Sequence, residues 1–223
     1  MLIKPMSFMK AKTGGGGGSS LFSGFAENGS TSSSPSLSVD LPTSSPVSLL
    51  VAVGSSSSRS LNSATIDGVS ATVQYSGTFA ESKRVYVIDT GATTVTGGAG
   101  RTVTLNFSGN VLRSGVMAYD ATGLTFQDAT DNSGNSVSSV SLNHNTSSGD
   151  SIFAGGVYTL LSGSTISETG LEFSDVNTPI GGGTGPHYIF SSSDGAATGG
   201  TPESFAFGFS PNVTVNAVLA RYA

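Results

Sequence analysis

Apolar residues recur at alternate positions along this chain. RTVTLNFS (101–108) sets Val103, Leu105 and Phe107 on one face and Thr102, Thr104 and Asn106 on the other. SATVQYS (70–76), ESFAFGFS (203–210) and NVTVNAVLARYA (212–223) follow the same rule. Successive side chains of a strand point to opposite faces, so period-2 runs predict strands with one buried side. SLLVAVG (48–54), RVYVID (84–89), VLRSGVMAYD (111–120), VSSVSLN (137–143) and DSIFAGGVYTLL (150–161) extend the set, with LFSGF (21–25), SLSVDL (36–41) and GLEFS (170–174) as further candidates. No long stretch places apolar residues at i, i+3, i+4 and i+7 without Gly or β-branched interruption, so no helix is expected.

Turn clusters separate these runs: GSSSSRS (54–60), TGGAGR (96–101), DNSGNS (131–136) and IGGGTGP (180–186). Many short strands at such spacing, with no helix to carry a parallel crossover, predict an all-β antiparallel sandwich, jelly-roll-like, over residues 21–223. Residues 1–20 carry no strand pattern and are expected to form an extended, basic, Gly-rich N-terminal arm. Several runs (LLVAVG, FAFGFS, NAVLA) lack an internal Lys or Pro, and exposed at an edge they would favour association with further copies.

Composition sharpens this picture. Charged residues are 10% of the 223, and Gly, Ser and Thr fill the surface instead; hydrophobic residues remain at 36%, enough for a core. The net charge of −5 is uneven, because Lys4, Lys10 and Lys12 stand in the first twelve residues with no acid. An acidic body is ill suited to nucleic acid, and the basic arm is expected to meet an acidic partner such as a neighbouring subunit. Gly14, Gly15, Gly16, Gly17 and Gly18 form a tract with the most backbone freedom to lose, so a partner surface must hold it; lacking side chains, it fits a narrow groove. The chain has no cysteine and hence no disulfide or thiolate metal site. No apolar run is long enough to span a membrane as a helix, and MLIKPMSFMKAK lacks the apolar stretch of a signal peptide, so synthesis and folding in a cytoplasm are expected.

Candidate chemistry is sparse. VYVIDTGATTV (85–95) places Asp89-Thr90-Gly91-Ala92 after an apolar strand and resembles the active-site loop of retroviral-type aspartic proteases. In that family two such loops share one proton between paired carboxylates, which would make Asp89 the acid/base with Thr90 and Gly91 bracing it. The other reading is a strand ending in a tight turn. QDATDNSGNS (127–136) offers Asp128, Asp131, Asn132 and Asn135 as oxygen ligands for calcium, without the terminal glutamate of an EF-hand; turn chemistry explains the same residues. His144 and His187 are read as loop residues without a carboxylate at ligand spacing, so neither zinc nor any other cofactor is expected. The sequons at Asn28, Asn106, Asn145 and Asn212 carry little weight without a secretory signal.

The order of segments from Val47 to Leu161, and again from Phe205 to Ala223, resembles β-sandwich domains common in phage structural genes. VSLLVAVG is followed by ATIDGVSATVQYS around a central Gly, then RVYVID, RTVTLNFSG, SGVMAYDATG, SSGDSIFAGGVYTL and the closing TVNAVLARYA. The resemblance implies a non-enzymatic virion protein, made in the host cytoplasm and carried on the particle. It would be a capsid decoration or cement protein bound through its arm to the major capsid protein or other virion subunits, and a homo-oligomer, as trimers are common among such proteins. The alternative is a tail-fibre or host-surface adhesin domain whose loops contact saccharide, and the third reading is the protease through Asp89. The resemblance aligns VYVIDTG with an ordinary core strand and its turn.

Overall fold

The structure, a computed structural model, describes residues 21–159, 165–169, 173–180 and 188–223. Among them every regular element is a strand and every pairing is antiparallel, as the period-2 pattern requires. The strands are β1 (Phe22–Asn28), β2 (Ser36–Leu41), β3 (Val47–Gly54), β4 (Leu61–Ile66), β5 (Val69–Ser76), β6 (Lys83–Asp89), β7 (Gly98–Phe107) and β8 (Arg113–Asp120). They continue with β9 (Phe126–His144), β10 (Ser151–Thr159), β11 (Thr165–Thr169), β12 (Phe173–Ile180), β13 (Tyr188–Ala196) and β14 (Glu203–Tyr222). No helix of the described residues is long and apolar enough to cross a membrane.

The first eight strands make one sheet in the order β1-β8-β3-β6-β5-β4-β7-β2. Its pairings are nested: β1 lies against β8, β2 against β7, β3 against β6 and β4 against β5. The innermost hairpin turns at Asp67-Gly68, both with positive φ, the backbone that an Asp-Gly pair supplies for a tight two-residue turn. The sheet curls until its outer strands β1 and β2 meet. There Ser23 Oγ donates to the Asp40 carbonyl at 3.3 Å, and Gly24 lies so close to Asp40 that a Cβ would strike its carbonyl oxygen. Inside the curl sits one core cluster, with Leu37 and Val39 of β2, Leu49 and Val51 of β3, Ile66 of β4, Ile88 of β6, Val103 and Leu105 of β7 and Val116 of β8.

The remaining strands make a second sheet, ordered β11-β14-β10-β13-β12 with β9 also paired to β14. It covers the outside of the first. Leu50, Val85, Val87, Met117 and Tyr119 on the back of β3, β6 and β8 pack on Phe153, Val157, Val218, Ala220 and Tyr222 of β10 and β14. Strands β3, β6 and β8 are therefore buried on both faces, which is why they read as continuous apolar runs. A third cluster gathers Val140 and Leu142 of β9, Ile152 and Tyr158 of β10, and Phe205, Phe207, Val213, Val215 and Leu219 from both halves of β14.

Here the sequence reading needs correction. DNSGNS is not a chain reversal; it lies within β9, and ESFAFGFS and NVTVNAVLARYA join in the single strand β14. The turn-forming residues break the β9–β14 ladder, with register shifts between Gly208 and Val215 and a positive φ at Ser136. The two-stranded ribbon folds over there, so that Asn132 reaches the Ser141 carbonyl of its own strand at 2.8 Å. TGGAGR likewise runs into the start of β7, and β11 and β13 are strands that the period-2 reading does not include. Lys4, Lys10, Lys12 and Gly14 to Gly18, most of IGGGTGP and the start of GLEFS lie outside the described residues.

Candidate functional site

Strand β6 delivers Asp89 to the rim of the inter-sheet layer, with only 4% of its surface exposed. Asp89 Oδ1 accepts from Gln74 Nε2 of β5 at 2.9 Å and from the Gly91 amide at 3.0 Å. Thr90 Oγ1 accepts from the Val47 amide at 3.1 Å and donates to the Thr93 carbonyl at 2.6 Å, while Gly91 takes a positive φ. Asp89 Oδ1, Thr90 Oγ1 and the Gly91 amide thus each serve in ending β6 and fastening the start of β3. That is the geometry of a braced turn.

Tyr222, at the end of β14, closes the arrangement. Its hydroxyl shares a 2.7 Å hydrogen bond with Ser48 Oγ; burial, with the Asp89 carboxylate beside it, pushes its ionisation above the ordinary phenol range. Next to this pair lies a cavity of about 570 Å³ lined by Pro46, Gln74, Asp89, Leu124, Phe126 and Tyr222 among others. Its amide and carboxylate, those of Gln74 and Asp89, are hydrogen-bonded to each other, and Phe126 and Tyr222 supply ring surface. Asp89→Ala would leave the Gln74 and Gly91 donors without their acceptor, so a loss of about 1–3 kcal/mol in urea-unfolding stability is expected.

The calcium candidates do not converge. Asp128 and Asp131 stand three residues apart on β9, and period 2 turns them to opposite faces. Asp128 takes two hydrogen bonds from Arg221, at 2.8 and 2.9 Å, and one contact of 2.7 Å from His144 Nε2. The Arg221 hydrogen bonds are the main cause of its lowered pKa. Asp131 accepts from the Tyr75 hydroxyl and from the Thr78 amide. Asn132 is used by Ser141, and Asn135 accepts from Thr214 Oγ1 at 3.0 Å. Among the described residues no group of three or more His, Cys, Asp or Glu is placed to hold a metal ion.

His144 departs from its reading as a loop residue. It ends β9 and faces Asp128, a carboxylate sixteen positions earlier that the fold of the ribbon brings back to it. Arg221 also reaches the nearly buried Asp150 at 3.0 Å, so one guanidinium joins β9, β14 and the turn that leads into β10. His187 lies outside the described residues. Of the sequons, Asn106 is engaged by Ser34 and Ser63, Asn28 by Ser30 and Asn212 by Ser136, while Asn145 is exposed.

The residues that pattern reading missed are Lys83 and Asn216, both fully buried between the two sheets. Lys83 Nζ donates to the Glu81 carbonyl at 2.7 Å, and burial, partly offset by Glu81, lowers its pKa to about 8. Asn216 Nδ2 donates to the Thr78 carbonyl at 2.8 Å, whereas its buried Oδ1 has no hydrogen-bond partner among the described residues. A signal existed: Asn216 shares its face of β14 with Val218 and Ala220, an apolar face that alternation alone had assigned to solvent. No protein-family model matches the chain, and neither a curated protein nor a solved structure is significantly similar to it.

Proposed function

We propose that this chain is a non-enzymatic virion structural protein, a decoration or cement subunit whose first twenty residues moor it to the particle. The nested pairing of β1 to β8 carries the reading. A long hairpin rolled up so that its first strand meets its last is the pattern expected of a jelly roll, a scaffold recurrent among viral capsid and lectin domains. The β9–β14 sheet is then an addition to one flank of that roll.

The placement of the arm's root agrees with this assignment. Leu21 and Phe22 pack at the inter-sheet cluster, with the Phe22 ring 5.8 Å from Tyr119, edge to face, and the Leu21 carbonyl accepting from the Asp120 amide at 2.8 Å. The arm therefore starts from a fixed point at the edge of the rolled sheet. Its three lysines are opposite in charge to the acidic body, so in an assembly of copies the arm of one subunit is attracted to the body of the next. A homo-oligomer, a trimer in the simplest arrangement, fits such exchange.

Deleting residues 1–20 tests the mooring. The truncated protein is expected to keep its β-sheet circular dichroism and its unfolding midpoint while losing attachment to particles. Full attachment without the arm would overturn the mooring.

The cavity lined by Gln74, Leu124 and Phe126 favours a second reading, a host-surface adhesin domain with saccharide against the Phe126 ring. Copy number on purified particles separates the two: hundreds of copies fit the shell, a handful fits the tail.

A further inference from the structure

We propose that Lys83 and Asn216 are the reacting pair of an intramolecular isopeptide cross-link, an amide joining β6 to β14. The two side chains enter one layer from opposite sides. Lys83 shares its face of β6 with Val85 and Val87, and Asn216 shares its face of β14 with Val218, Ala220 and Tyr222. Both end on the same hairpin. Lys83 Nζ rests on the Glu81 carbonyl, while Asn216 Nδ2 reaches the Thr78 carbonyl and, at 3.4 Å, that of Lys83 itself.

The hairpin is built to hold them there. Ala80 and Lys83 exchange both backbone hydrogen bonds across Glu81 and Ser82, two non-glycine residues with positive φ. Such a backbone is disfavoured for side-chain-bearing residues, so the surrounding packing determines it. Asp131 supplies an acid beside the pair. It lies opposite Val218 in the β9–β14 register, which makes it a diagonal neighbour of Asn216, and it holds the Thr78 amide at 3.0 Å while Asn216 holds the Thr78 carbonyl.

The chemistry follows from burial. Burial shifts an amine toward its neutral, nucleophilic form, and a carboxamide oxygen without a donor among the described residues is open to a proton-bearing group during attack. Nζ leaves the Glu81 carbonyl and turns on to Cγ of Asn216. The Nζ lone pair forms the new Nζ–Cγ bond, the Cγ–Nδ2 bond breaks, and a proton from Nζ passes through Asp131 to Nδ2, which departs as ammonia. Nothing is oxidised or reduced. The apolar layer of Val85, Val157 and Val218 keeps water from competing for Cγ. The product replaces a buried amine and an unsatisfied amide by one neutral secondary amide.

Intact mass spectrometry of the purified full-length chain, followed by tandem analysis of its tryptic peptides, decides the matter. Expected is a chain lighter than its sequence by one ammonia, with a branched peptide joining the Lys83 segment to the Asn216 segment. Lys83→Arg and Asn216→Ala should restore the full mass, and Asp131→Asn should slow the loss. Since core variants can fail to fold, the wild-type peptide map suffices alone. Recovery of Lys83 and Asn216 only in unbranched peptides overturns the proposal, and so does an ammonia loss that maps to a succinimide at Asn28-Gly29.

Discussion

Phe153→Ala should cost about 3–5 kcal/mol of unfolding free energy. The ring is fully buried at the centre of the layer between the two sheets. It stacks on Tyr119 with centroids 4.4 Å apart and planes 11° from parallel, and it leans on Tyr222 at 4.8 Å. Tyr119 belongs to the rolled sheet, Phe153 and Tyr222 to the sheet that covers it, so truncation opens a cavity at the joint and removes two aromatic contacts. Urea unfolding followed by tyrosine fluorescence measures the effect, with the midpoint falling and the slope unchanged if both sheets unfold together. A second, earlier transition in the variant would show that the joint is what couples them. A loss under about 1 kcal/mol would contradict close packing at this point.

Class and most strands were legible because one physical rule, alternation of side chains across a pleated sheet, operates over most of the chain. RTVTLNFS buries Val103, Leu105 and Phe107, and SLSVDL buries Leu37, Val39 and Leu41, as alternation requires. The rule is blind to how strands pair. That β1 meets β8 across more than eighty residues depends on summed contacts that no local window contains. It also fails where both faces are buried. In NVTVNAVLARYA the odd positions lie in one cluster and Val218, Ala220 and Tyr222 in another, so a face read as solvent-exposed is core.

Turn chemistry misled at DNSGNS for a related reason. Asp, Asn, Ser and Gly do favour positive φ and side-chain-to-backbone bonds; Ser136 shows the first and Asn132 the second. Those preferences are met by bending a strand as well as by reversing the chain, and only the partner strand decides between the two outcomes. The site residues show the same limit. Asp89 was found because its motif is contiguous, whereas the Lys83–Asn216 and Asp128–His144 pairs are assembled from distant segments by the fold.

Arg221→Ala should destabilise the protein by about 2–4 kcal/mol near neutral pH, less than a fully buried pair would lose because Asp128 is partly exposed. The guanidinium is the hub between Asp128, with two bonds, and Asp150, whose side chain is 7% exposed. Its removal leaves the Asp150 carboxylate with the Ser147 amide as its remaining partner among the described residues. The pH dependence has a definite sign. Arg221 holds the Asp128 pKa below its ordinary value. A carboxylate with a depressed folded pKa contributes stability that is fully present above its unfolded value, about 3.9, and is lost as pH falls through the folded value. Without Arg221 the largest share of that contribution is absent at every pH, and only the share due to His144 remains. The gap between wild type and variant should therefore be widest above pH ~5 and shrink below pH ~4. Arg221→Lys keeps the charge but not the two parallel bonds, so it should recover only part of the loss. Chemical unfolding of the three proteins from pH 7 down to pH 3 measures this, and a gap that stays constant across the range would mean that packing of the arginine stem, rather than its charge, supports the ribbon.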